Sequence, residues 1–156
     1  MKQLIAIVAI VVLGSAAVAL ATPGHGDIHR ADLARGNHAD GGTISFDAGT
    51  ETVVFTFTMA PGATSGWHRH PGAVVVLVKS GTLTTYGLDQ PPCTGVDLPA
   101  GTAYFEDNAA NAKWPHFVRN KSGTETVEAV VTAFNVPVGA SVRSEAPAPA
   151  ECDDPM

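Results

Sequence analysis

Positive charge is scarce in this chain. Nine Lys and Arg residues stand against 15 Asp and Glu, a formal charge of −6 over 156 residues, and the basic residues are scattered rather than clustered. That distribution lacks the electrostatic footprint by which proteins hold nucleic acid or anionic lipid. Cysteine is scarcer still. Only Cys93 and Cys152 occur, without the C-x-x-C spacing of a thiolate metal site. No phosphate-cradling glycine loop is present, and neither Ser65 nor Ser80 has the local context of a nucleophilic serine. Carboxylates do not pair beside any candidate site, which leaves glycosidase chemistry unsupported. Beyond the N-terminus, no segment sustains helical periodicity over three turns.

What is present begins with an N-terminal apolar run. Met1-Lys2-Gln3 precedes an apolar stretch from Leu4 to Leu13, and Ala19-Leu20-Ala21 closes it. A charged start, an apolar middle and an A-x-A ending form a signal peptide, 1–21, cleaved after Ala21. The competing reading is an uncleaved anchor, since Leu4 to Ala21 reaches the lower limit of a membrane span, about 18 residues. Cleavage removes Lys2 and takes the formal charge from −6 to −7. The mature protein is then secreted or periplasmic, with no membrane association. In an oxidising compartment two cysteines most simply pair. A Cys93–Cys152 disulfide closes a loop of about 60 residues, worth roughly 4 kcal/mol in the chain-entropy account. It ties back the Pro-rich tail, 146–156.

Residues 22–42 are polar and glycine-rich, with His25, His29 and His38. They read as a flexible arm, or one short helix, carrying solvated histidines. From Thr43 the period becomes two, first over Ile44 and Phe46, then over Glu51 to Met59. There Val53, Phe55, Phe57 and Met59 share one face. Ala73 to Val78 is a short, β-branched apolar run bounded by glycine, a buried strand. Lys79-Ser80-Gly81 reads as a tight turn, with Thr82 to Leu88 as the return strand of a hairpin. Val96–Leu98 and Thr102–Glu106 suggest another strand pair. Trp114 to Arg119 is extended, Asn120 to Gly123 is a turn braced by Asn120, Thr126 to Val136 is a long strand, and Ser141–Arg143 a last short one. One all-β domain, 43–145, built as a sandwich or small barrel, accounts for these signals.

Inside it lie His68 and His70, one residue apart. Positions i and i+2 of a strand share a face, so both imidazoles can reach one metal if a third ligand closes the site. His116, on a later extended stretch, is that candidate. The competing readings make the first two solvent-exposed loop histidines and the third a loop-to-strand corner. Tyr104 and Glu106 are candidate cavity or supporting groups, and Glu106 is also a stand-in for a carboxylate ligand. Three neutral imidazoles suit Fe, Cu, Zn, Ni or Mn without distinguishing among them.

These residues resemble the cupin superfamily. Its first motif runs Gly, five residues, His, one, His, three, Glu, six, Gly. Gly62, His68, His70 and Gly81 fall at matching positions, and Val74 occupies the Glu position. Pro99, Gly101, His116 and Asn120 resemble the second motif, with Tyr104 where the family's His usually follows the Gly and 107–113 as an insertion that delays it. The likeness runs from Phe55 to Phe134 and is closest to small secreted bacterial cupins. It implies a double-stranded β-helix, or jelly roll, with one divalent transition metal held inside by His68, His70 and His116. With Val74 in place of the carboxylate, such a site keeps the ion's full +2 charge. Dioxygenase conversion of a small molecule is the activity the resemblance suggests. A non-enzymatic metal or ligand-binding barrel, or a structural homodimer with a vestigial site, are the alternatives.

Overall fold

The computed structural model describes residues 29–38, 41–87, 94–106, 115–150 and 152. The signal segment, Cys93 and Trp114 lie outside the described residues, and with Cys93 the disulfide; Cys152 itself is buried. The chain divides into two units, 1–30 and 31–156. Of the first only His29 and Arg30 are described, both exposed. No helix among the described residues is long and apolar enough to cross a membrane.

The second unit is built of strands β1 (Asn37–His38), β2 (Thr50–Met59), β3 (His68–Arg69), β4 (Val74–Ser80), β5 (Thr82–Tyr86), β6 (Gly95–Pro99), β7 (Thr102–Glu106), β8 (Phe117–Arg119), β9 (Val127–Pro137) and β10 (Ser144–Glu145). A five-stranded sheet runs β1-β7-β4-β9-β2, a three-stranded sheet β6-β5-β8, and β10 pairs with β3. One hydrophobic cluster joins the two larger sheets. Val74, Val76, Val78, Val127 and Val131 reach it from the first, Leu83, Leu98 and Val118 from the second. Each fully buried valine there contributes about 1.5–3 kcal/mol. This is the all-β double-stranded β-helix expected from the sequence. In β2 the expected face is the inner one, since Val53, Phe55 and Phe57 alternate with exposed neighbours.

The connections differ from expectation. β4 and β5 are not a hairpin, and β6 and β7 are not a pair. At each junction the chain leaves one sheet for the other. The two corners are bonded to each other. The Ala100 amide donates to the Gly81 carbonyl at 3.0 Å and the Gly101 amide to the Val78 carbonyl at 2.9 Å. Gly81 sits at φ +73°, and a Cβ there would lie 2.9 Å from the Thr126 carbonyl oxygen. Both the left-handed backbone and the close approach require glycine. A Gly-marked reversal looks alike in sequence whether it closes a hairpin or turns a barrel corner.

Residues 43–46 form no strand. The Asn135 amide holds that segment instead, donating to the Ser45 carbonyl at 2.9 Å and accepting from the Asp47 amide at 3.1 Å. Phe46 stays exposed and packs edge-on against Phe134. Within the expected arm, Asn37 and His38 run parallel to Thr102 and Ala103. The last strand is Ser144–Glu145, just beyond the expected 141–143, because its ladder partner is the histidine strand β3.

Candidate metal centre

His68 and His116 face each other across an isolated antiparallel bridge. The His68 amide donates to the His116 carbonyl at 2.8 Å, and the His116 amide to the His68 carbonyl at 3.0 Å. Residues exchanging both bonds stand directly opposite and present side chains to the same face. Their rings lie 4.3 Å apart between centroids. The regular strand expected through His68 and His70 stops at Arg69, because Ser144–Glu145 pairs only with His68–Arg69. His70 still swings inward, with its ring 4.9 Å from that of His68 and 5.1 Å from that of His116. One nitrogen from each of the three rings lies within 4.8 Å of the others.

Two of the rings are aimed by backbone carbonyls. The His68 Nδ1 atom lies 2.8 Å from the Gly66 oxygen, and the His70 Nδ1 atom 2.7 Å from the Val142 oxygen. A carbonyl only accepts, so both Nδ1 atoms carry the proton and both Nε2 lone pairs point away. This is the outer support that metal-binding imidazoles commonly have. His116 differs. It is fully buried, and among the described residues neither ring nitrogen has a hydrogen-bond partner. A buried polar group left so costs about 1–3 kcal/mol. A cation accepting the lone pair would remove that cost, and so the donor set fits a divalent transition metal.

Glu106 ends β7 with its carboxyl turned into the same space. Its Oε2 atom lies 3.3 Å from His70 Nε2 and 3.5 Å from His116 Nε2, and the residue is buried. The Glu position of the sequence motif is filled by Val74, yet a carboxylate has reached the site from the strand beside it. Glu106, expected from the sequence as a cavity group or a stand-in carboxylate, thus stands beside the three histidines. Tyr104, two residues earlier, packs against the hydrophobic cluster. Among the described residues it does not line the histidine cavity. Trp67 packs edge-to-face on Phe117 and, among the described residues, does not line the histidine cavity.

Burial sets the charges. It drives His68 down to about 4, reinforced by His70 and Arg143 and opposed by the Gly66 carbonyl. His70 is lowered for the same first reason. His116 falls to about 2, through burial and then the neighbouring His68 and His70. Burial pushes the Glu106 carboxyl up to about 8. Near neutral pH the metal-free site thus holds three neutral imidazoles, the form that binds metals, beside a largely protonated carboxyl. Next to it lies a cavity of about 110 Å³ whose apolar wall includes Phe55, Phe57, Val76, Leu83 and Val131. Ser65 and Arg143 also line it, with the Arg143 guanidinium donating to the Ser65 carbonyl and to Glu145. The sequence offered no sign of Val142 or Arg143, which lie 72 and 78 residues from their contacts. Gly66, at φ +69° two residues before the first ligand, was the one local signal available.

A family model described as "Cupin domain" matches residues 55–132, half of the chain. The chain is a cupin. No curated protein matches it. Among solved structures, this cupin is similar to the DMSP lyase DddQ from Ruegeria pomeroyi, at 15% identity and a TM-score of 0.48 over 63% of this chain and 44% of that one. It is also similar to a cupin-like protein from Thermotoga maritima, at 19% identity and a TM-score of 0.47 over 62% and 65%. A conserved protein with a double-stranded β-helix domain from Klebsiella pneumoniae matches at 20% identity and a TM-score of 0.45, over 59% and 72%. The chain spans less than half the length of the Ruegeria lyase.

Proposed function

We propose that this cupin holds one divalent transition metal through the Nε2 atoms of His68 and His70 and a ring nitrogen of His116, and that it uses the centre on a small molecule outside the cytoplasm. The observation that carries the reading is the fully buried His116, whose two ring nitrogens have no hydrogen-bond partner among the described residues while it faces His68. A metal held by three imidazoles supplies a Lewis-acidic centre able to take a small ligand or dioxygen, the chemistry of a dioxygenase-type oxidoreductase. The chain's own part is to aim and to enclose. The Gly66 and Val142 carbonyls fix two imidazole tautomers. The apolar wall excludes water from a space with room for only a few heavy atoms, far below the roughly 300–1,000 Å³ of a drug-sized pocket.

Export after removal of 1–21 and a Cys93–Cys152 disulfide complete the proposal. Mature protein should begin at Thr22 and show no reactive thiol after denaturation. The test of activity is oxygen consumption by metal-loaded, untagged protein across a panel of small organic substrates. Turnover that is lost in His70→Ala supports the enzyme. Stoichiometric metal without oxygen uptake across the panel replaces it with a non-enzymatic binding barrel.

A further inference from the structure

The carboxylate beside the histidines does not come from the motif position that would be expected to supply one, and the sheet register explains how it arrives. Val74 opens β4 and Glu106 ends β7, and the two are directly opposed in the antiparallel ladder of these strands. Opposed residues send their side chains to the same face of a sheet, about 5 Å apart at Cβ. Three further pairs of the ladder keep this register, Val75 against Phe105, Val76 against Tyr104 and Leu77 against Ala103, so the alignment is not a local slip. A carboxylate lost at position 74 is thus present one strand over, on the same face and at the same height in the barrel.

From this we infer that Glu106 is the fourth protein ligand of the metal centre, supplied by β7 in place of the residue at position 74. The inference rests on the three-histidine reading above and extends it. Its Oε2 lies 3.3 Å from the Nε2 of His70, and that nitrogen is the donor atom because Nδ1 is committed to Val142. The same oxygen is 3.5 Å from Nε2 of His116. An ion bound by those nitrogens would therefore have the carboxylate oxygen beside it without any change of strand. The charge balance agrees. A dication among three neutral imidazoles buries two positive charges, and an ionised Glu106 reduces them to one, which lowers the cost of burial. Arg143, the cation lining the cavity among the described residues, is already engaged by the Ser65 carbonyl and Glu145.

The test is titration of untagged protein with Co(II), read by its visible d–d bands, and with Zn(II), read by chelator competition. Glu106→Gln keeps the side chain's size and removes its charge. It should weaken both metals about tenfold or more and alter the Co(II) bands, with the far-ultraviolet circular dichroism of the wild type. The double variant Val74→Glu with Glu106→Val returns the carboxylate to the opposite strand and should regain most of the affinity that Glu106→Val alone loses. Unchanged affinity and unchanged bands in Glu106→Gln, while His70→Ala loses binding, would overturn the inference and leave the three-histidine reading standing. Wild-type binding in His70→Ala and His116→Ala would overturn both.

Discussion

His116 and Asn120 lie four residues apart, and both are fully buried. Their surroundings could hardly differ more. Asn120 spends its whole polar capacity inside the protein. Its Nδ2 donates toward the carbonyls of Met59, Ala60 and Glu125, and its Oδ1 accepts from the Ser122 amide. His116 has the same exposure and, among the described residues, satisfies neither nitrogen. The first arrangement is what a structural polar residue achieves when the fold is free to serve it. The second leaves two buried ring nitrogens without a hydrogen bond among the described residues, and the proposed metal would take the lone pair of one of them. The contrast places the unfilled demand at one point of the barrel, among His68, His70 and Glu106, and not in the turn next to it.

Four experiments probe that contrast. The largest effect is expected for metal binding in His116→Leu. Loss of a direct ligand should weaken Zn(II) by more than about 100-fold, since losing even an outer-shell group costs about 10–100-fold; isothermal titration measures it, and affinity near the wild type's would remove His116 from the site. Next comes Asn120→Ala, which strips the donors from three carbonyls and opens the turn. Urea unfolding should report a loss of about 2–4 kcal/mol, with metal affinity preserved in the folded protein.

A smaller effect lies in the pH dependence of metal-free protein. His68 is held down to about 4 from an ordinary 6.5, and His70 and His116 are lowered too. As pH falls from about 6.5 toward 4, the unfolded chain takes up protons that the folded chain refuses. Stability then declines by up to about 1.4 kcal/mol per pH unit for each histidine. Glu106 acts in the opposite sense. The folded chain keeps its proton to about pH 8, against 4.5 when unfolded, so its contribution declines as pH rises through that window. Thermal midpoints in the presence of chelator should therefore peak near pH 6.5 and fall on both sides. A midpoint climbing steadily from pH 6.5 to 8 would contradict a Glu106 carboxyl kept protonated by burial. The smallest effect is expected from His116→Leu without metal. An apolar side chain of similar size removes an unsatisfied polar group, so stability should change by less than about 1 kcal/mol or rise. A loss comparable to that of Asn120→Ala would mean that the imidazole is structural.

Much of this was legible in the sequence, for identifiable reasons. The alternation over Glu51–Met59 and the β-branched run after Gly72 record burial residue by residue, and those strands stand where they were read. The spacing of His68 and His70 and the later His116 gave the histidine cluster. Asn120 was readable as a turn support because its contacts with Ser122 and Glu125 are local. Three things were not legible. Gly81 and Gly101 signal reversals, but whether a reversal returns to the same sheet depends on pairing partners far along the chain. Glu106 was readable as a candidate cavity carboxylate, but the register against Val74 that turns it inward is a relation between strands that no local spacing encodes. The carbonyl that orients His70 belongs to Val142, 72 residues away.

In the reading proposed above, His116 lacks a hydrogen-bond partner because a metal takes that place. Elemental analysis of untagged protein isolated from its native compartment tests this most directly. One equivalent of a divalent transition metal per chain in the wild type, and none in His116→Leu prepared alongside it, is the predicted result. Metal-free protein that also takes up none of Fe, Cu, Zn, Ni or Mn on titration would contradict it.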